Sequence, residues 1–312
     1  MTKKYNKEVP KMQEKIKPFV KWAGGKGSLL SQLNRFYPFE LKAGQITRYI
    51  EPFVGGGAVL IDILQNYKVQ EAYAFDINID LINAYNVIKH NSEKLIQILK
   101  KIEKEYLSLG QEDRKTYFYE RRNQYNSRLP KKNKESIKRA GEFIFLNRTC
   151  FNGLYRVNKS GKFNVPIGSY KNPTICDEIN LRQLANLIQN VTFQCADYKK
   201  SMEYVTQDTF VYFDPPYRPL NDTSAFTSYT KELFNDNSQR ELAMFYKMLY
   251  TKKAKLMLSN SNPKNVNQQD VFFEELYHDF YMDEIYAKRT INANWRGRGE
   301  IPEIIVTSYQ ID

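Results

Sequence analysis

Short apolar runs typical of β-strands occur near both ends of the chain, and a lysine-rich stretch with a helical pattern separates the two groups. The strand-like runs span residues 47–53, 71–76, 191–198, 209–217 and 254–261. Helical patterns between the first two runs and between the last two predict parallel strands joined by helices. Two more runs near the C-terminus predict a β-hairpin at the sheet edge. We therefore expect an α/β sheet interrupted by a basic, mainly helical insert.

These patterns divide the chain into three parts. Residues 1–16 are rich in lysine and are predicted to form a basic N-terminal arm. Residues 17–80 and 190–312 carry the strand-like runs and are predicted to form one sheet domain. Residues 81–189 are predicted to form the insert.

The charge of the chain indicates its class of partner. The 312 residues include 47 lysines and arginines against 35 aspartates and glutamates, a net charge of +12. Such a basic protein favours an anionic partner, and nucleic acid comes first among these. The sequence contains neither a signal-peptide pattern nor an apolar run approaching the roughly 20 residues of a membrane helix. We therefore expect a cytoplasmic protein with no membrane partner.

The cysteines and histidines exclude several kinds of chemistry. Cys150, Cys176 and Cys195 are far apart and odd in number, which predicts neither a disulfide framework nor a zinc site. No metal is therefore expected. His90 and His278, the two histidines, lie outside every motif described below, so a histidine base is not expected.

Two glycine-rich stretches accompany the strand-like runs. In WAGGKGS at residues 22–28 a lysine follows two adjacent glycines, which does not match the G-x-x-x-x-G-K-[ST] pattern of a phosphate-binding loop. EPFVGGG at residues 51–57 follows a strand and opens a helix, and Asp76 ends the next strand about 20 residues later. Glycines let a backbone approach a ligand closely, and a carboxylate accepts hydrogen bonds from ribose hydroxyls. The pattern favours a mononucleoside ligand, although a tight turn without a ligand would use the same glycines.

The run VYFDPPY at residues 211–217 ends a buried strand abruptly. Two prolines remove two backbone donors and fix two φ angles, so the chain leaves the sheet and holds Asp214 and Tyr217 rigidly. Because ligands bind beyond the carboxyl ends of the strands in such sheets, Asp76, Asp197 and Asp214 are expected to share one cleft. A carboxylate beside a proline carbonyl accepts both hydrogens of an amino group, and a tyrosine ring stacks on a base. The run is either such a site or a simple proline turn.

Four motifs occur in the order seen in the alpha class of amino-methyltransferases, and the chain resembles the Dam-type, DpnII-like DNA adenine-N6 methyltransferases. They are FVKWAGGK at 19–26, EPFVGGG at 51–57, Asp76, and DPPY at 214–217. The resemblance spans about Phe19 to Tyr309 and is strongest over residues 151–173 and 223–230. It implies a Rossmann-like S-adenosylmethionine-dependent methyltransferase sheet. The sheet domain would then be catalytic, and the insert would be the target-recognition domain that binds double-stranded DNA.

The resemblance implies a role for each matching residue. S-adenosylmethionine would supply the methyl group and leave as S-adenosylhomocysteine. The residues that would bind it are Trp22, Lys26, Phe53, Gly55, Gly56, Gly57, Asp76, Asp197 and Asp214. The catalytic residues would be Asp214, Pro215, Pro216 and Tyr217. In this interpretation the Asp214 carboxylate and the Pro215 carbonyl accept the amine hydrogens of a flipped adenine, and Tyr217 stacks on its ring.

The same resemblance indicates which residues would contact DNA. They are Lys21, Phe151, Asn152, Leu154, Arg156 and Pro166. Arg156 and Lys21 would each contact a guanine, and Pro166 would lie near a thymine methyl group. Together these assignments favour GATC as the target, although relatives of differing specificity share the loop around Arg156. A cognate restriction endonuclease acting on the same site and association with the nucleoid are further expectations.

Three other features complete the interpretation. The run at residues 121–139 carries eight basic residues and one acidic residue, and we expect phosphate contacts from it, although such runs are commonly solvated helix faces. The long connection at residues 218–236, which includes TSAFTSYT, is interpreted as either an active-site lid or an ordinary surface loop. Cytosine C5 methylation is excluded because the chain contains no Pro-Cys dipeptide. Three alternatives remain. Cytosine N4 methylation is disfavoured by Asp214, and protein glutamine methylation is disfavoured by the basic insert. A DNA-binding regulator without catalysis is disfavoured by the intact DPPY run.

Overall fold

In the computed structural model, the described residues are 15–127, 135–218, 234–288 and 300–311. Seven strands form one sheet. They are β1 (Arg48–Glu51), β2 (Glu71–Asp76), β3 (Val191–Cys195), β4 (Thr209–Phe213), β5 (Lys255–Ser261), β6 (Tyr281–Lys288) and β7 (Glu300–Thr307). Their order across the sheet is β3-β2-β1-β4-β5-β7-β6. The first five strands of this order are parallel, and β7 is antiparallel to both β5 and β6.

The predicted α/β class and the Rossmann-like sheet are confirmed, and so is the antiparallel pair at its C-terminal edge. The strands are shorter than their apolar runs, because β1 ends before the proline of EPF and β4 ends before Asp214. Proline lacks the N–H that a sheet ladder needs. The residues that follow these two strands therefore leave the sheet at the edge where ligands bind.

Nine α-helices surround the sheet within the described ranges. They are α1 (Leu30–Leu33), α2 (Phe39–Lys42), α3 (Ala58–Asn66), α4 (Ile79–Leu107), α5 (Gln111–Ser127), α6 (Ile137–Thr149), α7 (Glu178–Leu187), α8 (Asp236–Tyr250) and α9 (Phe272–Leu276). Short polar side chains begin several of them. The side chain of Asn78 accepts hydrogen bonds from two N–H groups of α4, and the side chains of Ser136 and Asp177 each accept one from the first turn of α6 and α7.

Alternating side chains along each strand serve two apolar layers. Phe210 and Tyr212 of β4 point into a core shared with α3, α4, α6 and α7, whereas Val211 and Phe213 point into a second core that α8 and α9 cover. This alternation is what the two-residue period of a strand requires when both faces of the sheet are covered. The helices between β2 and β3 therefore pack on one face of the sheet and continue its core.

Several sequence predictions fall wholly or partly outside the described residues. These are the arm at 1–16, most of the lid candidate at 218–236 with TSAFTSYT, the middle of the basic run at 121–139, and the segment that joins β6 to β7. The division into three domains also stays a prediction. Among the described residues, no helix is long and apolar enough to cross a membrane.

Candidate active site

The carboxyl ends of β1 to β4 meet at one edge of the sheet, where each strand is followed by an acidic residue or ends in one. Glu51 and Asp76 are the last residues of β1 and β2, and Asp214 directly follows β4. The chain order reverses between β1 and β4, because β2 and β3 lie on one side of β1 and β4 lies on the other. In open α/β sheets, ligands bind at the crevice that such a reversal creates.

The glycines after β1 form a turn that leaves no space for side chains. Gly55 and Gly57 have positive φ angles of 46° and 71°. A Cβ at Gly57 would lie 2.4 Å from the hydroxyl of Tyr85, which itself donates a hydrogen bond to the Gly55 carbonyl at 3.0 Å. A Cβ at Gly55 would meet the Trp22 ring at 2.9 Å, and one at Gly56 would meet Trp22 Cβ at 3.1 Å. Trp22 thus packs against the turn, and its predicted role in cofactor binding stays a prediction.

Asp76 is held against the same turn. Its Oδ2 accepts a hydrogen bond from the Gly55 N–H at 3.2 Å, and its Oδ1 accepts one from the Asn78 N–H at 2.8 Å. Burial raises the pKa of Asp76 to about 6, although these backbone donors oppose the rise. The next side chain, Ile77, is apolar and 56% exposed. A polar acceptor and an apolar surface are therefore adjacent at the end of β2.

The hook formed by residues 214–217 is anchored by side chains from other parts of the fold. Asp214 Oδ1 accepts hydrogen bonds from Lys26 Nζ at 2.7 Å and from Ser259 Oγ at 3.1 Å. The Tyr217 hydroxyl donates to Glu303 Oε2 at 2.5 Å, and Gln239 Nε2 donates to the Pro216 carbonyl at 3.1 Å. Burial raises the pKa of Asp214, and the Lys26 ammonium is the strongest of the groups that oppose this rise.

Lys26 was predicted to bind the cofactor, and this role stays a prediction; in the structure its side chain reaches Asp214. Its side chain is 3% exposed, and its ammonium lies inside the hook. In addition to Asp214, Nζ contacts the Gly24 carbonyl at 3.1 Å, and it lies 4.7 Å from the centre of the Tyr217 ring. The reason is electrostatic: a buried ammonium needs a paired charge, and Asp214 provides it.

Three side chains of this site were missed by sequence reasoning. Glu51 is fully buried, accepts a hydrogen bond from the Tyr49 hydroxyl at 2.8 Å, and has its pKa raised by burial. Its position at the end of β1 was a usable signal, because it is a strand-end carboxylate like Asp76. Ser259 and Glu303 come from β5 and β7, and the sequence around them carries no motif.

Two other residues predicted to bind the cofactor lie beside this site. Phe53 stacks on Tyr198, with ring centres 5.3 Å apart. Asp197 begins the short helical turn Tyr198–Tyr204, and its Oδ1 accepts a hydrogen bond from the Lys199 N–H at 2.9 Å. Both follow strands of the sheet, and their roles towards a cofactor stay predictions.

The residues predicted to read DNA lie in two segments that contact each other. The side-chain stem of Lys21 packs where a Cβ of Gly153 would be, because that Cβ would lie 2.4 Å from Lys21 Cδ. Phe151 is 52% exposed, and its N–H donates to the Pro166 carbonyl at 2.9 Å. Asn152, also exposed, has a positive φ of 54°. The turn Phe151–Gly153 is therefore held between Lys21 and Pro166.

Leu154 and Arg156 continue from this turn. Leu154 is half-buried and packs against the large core, so most of its side chain is not available to a partner. Arg156 is exposed, and its Nε donates a hydrogen bond to Asn164 Oδ1 at 2.8 Å. This bond orients the guanidinium and leaves its terminal nitrogens to solvent in the described structure. The predicted DNA-reading role of Arg156 stays a prediction.

Three described arginines of the basic run at 121–139 have partners within the protein. Arg121 pairs with Glu105, with Nη2 and Oε2 3.1 Å apart, and Arg139 pairs with the buried Asp80. Arg122 donates to the Val165 carbonyl at 3.3 Å. Of the four basic residues of this run that the structure describes, Lys138 is the exposed one. These arginines are engaged within the protein, and the phosphate contacts expected from the run stay a prediction.

The described residues contain no cluster of three or more His, Cys, Asp or Glu side chains that could hold a metal ion. The three cysteines are unbonded thiols, and burial raises the pKa of Cys150 to about 12. An ordinary thiolate nucleophile is therefore not formed there at neutral pH.

The strand order, the glycine turn after β1 and the acidic end of β2 together define a Rossmann-like methyltransferase sheet. The model of one family, the D12 class of N6 adenine-specific DNA methyltransferases, matches residues 22–291. The chain belongs to this family, and it is an adenine-specific DNA methyltransferase.

Similar proteins extend over nearly the whole chain. The chain is 50% identical over 295 residues to the type II methyltransferase M.MjaIII of Methanocaldococcus jannaschii, covering 94% of this chain and 99% of that protein. It is 38% identical to the type II methyltransferase M1.LlaDCHI of Lactococcus lactis subsp. cremoris, with 94% and 96% covered. It is 34% identical to the DNA adenine methylase of Haemophilus influenzae, with 96% of each chain covered.

Proposed function

We propose that this enzyme transfers a methyl group from S-adenosylmethionine to the N6 amine of a flipped adenine in GATC. The observation that carries the chemistry is the position of Lys26. Its ammonium contacts the Asp214 carboxylate and lies near the face of the Tyr217 ring. A base with an exocyclic amine would present a nitrogen donor to the Asp214 carboxylate and a flat ring to Tyr217. The hook is thus suited to bind a nitrogen that carries hydrogens.

The residues at the ends of β1 and β2 fit a nucleoside cofactor. The glycine turn excludes side chains and leaves its backbone accessible to a ligand, and Asp76 offers a carboxylate to ribose hydroxyls. The exposed side chain of Ile77 offers an apolar surface to an adenine ring. Phe53 and Asp197 lie at the ends of the neighbouring strands, and Trp22 covers the turn. When bound, the cofactor supplies an electrophilic methyl group.

The protein groups of the hook then act on the target amine. Flipping an adenine out of the duplex costs a few kcal/mol, and stacking on Tyr217 returns about 1 to 3 kcal/mol of this. The Lys26 ammonium leaves Asp214 as the amine enters, because both donate hydrogen bonds to the same carboxylate. The Asp214 carboxylate and the Pro215 carbonyl accept the two amine hydrogens, and Pro216 fixes the path of the chain. This polarises the nitrogen, directs its lone pair at the methyl group, and gives Asp214 a proton to accept.

The GATC target is supported by exposed residues of the two segments predicted to read DNA. Arg156 and Lys21 provide donors for guanine acceptors, and Phe151 and Asn152 are exposed beside them. Leu154 packs against the large core, and the Pro166 carbonyl accepts a hydrogen bond from the Phe151 N–H. DNA adenine methylases are among the relatives, which agrees with this proposal.

Plasmid digestion tests the target. Unmethylated plasmid is incubated with the enzyme and S-adenosylmethionine, and is then cut with endonucleases that differ in their sensitivity to GATC methylation. We expect protection from the enzyme that methylation blocks and cleavage by the enzyme that requires methylation. Methyl incorporation without any change in these digests would reject GATC while retaining adenine methylation.

The catalytic role of Asp214 has a direct test. Asp214→Ala is expected to abolish methyl transfer, because the amine loses its charged acceptor, while the affinities for cofactor and DNA stay within about tenfold. Asp208→Ala is the matched control, because Asp208 lies at the other end of β4, where it pairs with Thr47 and Thr206. Single-turnover transfer and equilibrium binding are measured for both variants. Retained turnover in Asp214→Ala would move the catalytic role to another residue.

The relatives named type II methyltransferases support a partner for this enzyme. We infer that a cognate restriction endonuclease acts on the same site in the cytoplasm, and that the enzyme associates with the nucleoid. Expression of the methyltransferase in a host that carries the endonuclease would then protect that host, and the Asp214→Ala variant would not.

A further inference from the structure

Two buried asparagines attach the segment around residues 17–21 to the helices of the insert. Asn180 of α7 is 6% exposed and Asn147 of α6 is 1% exposed. Asn180 Oδ1 accepts from the Lys17 N–H at 2.8 Å, and its Nδ2 donates to the Lys17 carbonyl at 2.9 Å. Asn147 makes the same two bonds with Lys21, both at 2.8 Å. Each amide therefore pairs with both the N–H and the carbonyl of one backbone residue, as a neighbouring strand would.

Asn147 makes one more bond, and this bond distinguishes it from Asn180. Its Nδ2 also donates to the Gly153 carbonyl at 2.8 Å. The orientation of the amide is determined by its partners, since Lys21 N–H needs an acceptor and the two carbonyls need donors. One side chain thus joins Lys21 to the turn Phe151–Gly153.

The two groups that Asn147 joins are also in direct contact. Gly153 has a positive φ of 64°, and a Cβ there would lie within 2.5 Å of two carbons of the Lys21 side chain. The Lys21 ammonium lies 4.1 Å from the centre of the Tyr170 ring, which positions its far end. The distance between Lys21 and the turn is therefore set by the amide on one side and by close packing on the other.

We propose that Asn147 is a positioning residue for target-site selectivity. It holds Lys21 and the turn Phe151–Gly153 at the spacing at which both meet the same DNA site. This inference rests on the proposed DNA-reading roles of Lys21 and Phe151. Lys21 directly precedes Trp22, which packs against the glycine turn. The Asn147 amide therefore links the proposed DNA-reading residues to the segment that contains Lys26.

The physical basis is the geometry that base reading requires. A bidentate contact to a base edge discriminates between bases only while donor and acceptor stay within hydrogen-bonding distance. Loss of the amide leaves two carbonyls and one N–H without their buried partner, so the Lys21 backbone moves towards other donors. Selectivity decreases more than overall affinity, because phosphate contacts do not depend on this spacing.

The experiment compares Asn147→Ala with Asn180→Ala. Both changes remove the same pair of bonds to the same segment, but only the first touches the residues that read DNA. For each variant, kcat and KM are measured on a GATC duplex and on duplexes with one altered base pair. We expect Asn147→Ala to lose about tenfold or more of the preference for the intact site, and Asn180→Ala to keep it within about threefold.

Gly153→Ala is a second variant that disturbs the same spacing without changing Asn147. It is expected to reproduce the loss of preference, and thermal unfolding of all three variants verifies that each is folded at the assay temperature. Equal selectivity in Asn147→Ala and Asn180→Ala, whether both lost or both kept, would overturn the inference.

The same measurements separate this inference from the proposed target. If the wild type prefers a duplex other than GATC, the GATC proposal fails, and the variants are compared on the preferred duplex. Competition binding in the presence of S-adenosylhomocysteine, which has no methyl group to transfer, measures the preference for one duplex over another without turnover. If the wild type prefers the target duplex in this binding assay and Asn147→Ala keeps the same preference, the positioning role is rejected.

Discussion

At the scale of single residues, the pairing of Lys26 with Asp214 shows how the hook keeps its shape in the absence of a base. A half-buried carboxylate next to a tyrosine ring would be costly without a cation, and the Lys26 ammonium at 2.7 Å compensates its charge. The ammonium also occupies the position that the proposed amine needs. Entry of the base therefore exchanges one nitrogen donor for another.

This pairing predicts the stability of Lys26→Met. Removing the cation leaves Asp214 buried with Ser259 as its remaining named donor, so we expect the variant to lose about 3 kcal/mol at pH 8. The pKa of Asp214 is already raised by burial, and it rises further without Lys26. The carboxyl group of the folded variant then binds a proton as the pH falls, and part of the loss is recovered at pH 5.5.

Urea unfolding at the two pH values measures the effect. Lys247→Met is the control, because it removes a pair with Asp279 that is largely exposed and is expected to contribute less than about 1 kcal/mol. An equal loss in the two variants, or a loss in Lys26→Met that does not depend on pH, would contradict the prediction.

Asp76 predicts a pH dependence of cofactor binding. Its pKa is raised to about 6, and the ionised carboxylate is the form that accepts ribose hydroxyls. Affinity is therefore expected to be full above this pKa and to fall as the pH decreases through it, by about tenfold between pH 7 and pH 5. Calorimetry with S-adenosylhomocysteine measures this, and Asp76→Asn should be weaker at pH 7 and show little pH dependence. A cofactor affinity of the wild type that does not change with pH would contradict the proposed contact between Asp76 and the ribose.

At the scale of elements, the turn between β1 and α3 depends on both backbone conformation and close approach. Gly57 has a φ of 71° and also faces the Tyr85 hydroxyl, whereas Gly44 has a φ of 72° and no neighbour within 4 Å of its missing Cβ. The two positions share the conformational cost of a side chain and differ in the packing cost. They therefore form a matched pair.

We expect Gly44→Ala to destabilise the protein by about 1 kcal/mol, from the left-handed conformation alone. Gly57→Ala should add about 1 to 3 kcal/mol because the new methyl group displaces Tyr85 from the Gly55 carbonyl. Cofactor affinity should decrease in Gly57→Ala only. Urea unfolding and calorimetry provide the two readings, and similar values for both variants would indicate that the turn accommodates a side chain.

At the scale of the whole molecule, the net charge of +12 is expected to make the affinity for DNA depend on salt concentration. Neutralising phosphates releases counterions, so affinity should fall steeply with salt, by about a hundredfold or more between 50 and 200 mM. Lys138→Ala should reduce the slope of this dependence by about one if Lys138 contacts a phosphate. Fluorescence anisotropy with a labelled duplex measures the slopes. Salt-independent binding would exclude an electrostatic contribution of this size.

Much of the fold could be predicted because local patterns carry it. The apolar runs of β1, β2, β4 and β5 are bounded by Gly, Pro or Asp, and two-residue alternation places their side chains on both faces of the sheet. Family membership also followed from local motifs, since EPFVGGG and DPPY occur as continuous stretches. The exact strand ends did not, because backbone hydrogen bonding decides them.

The sequence alone determined the class of sheet, the glycine turn, the hook and the enzyme family, because each depends on residues that are close together in the chain. The tertiary structure decided the partners of these residues. It placed Lys26 on Asp214, 188 residues away, and brought Ser259 and Glu303 to the same site from β5 and β7. It also directed Arg121 and Arg139 inward, to Glu105 and Asp80. Such pairs form because burial requires each charge to find a counter-charge, and no local pattern specifies where that counter-charge lies.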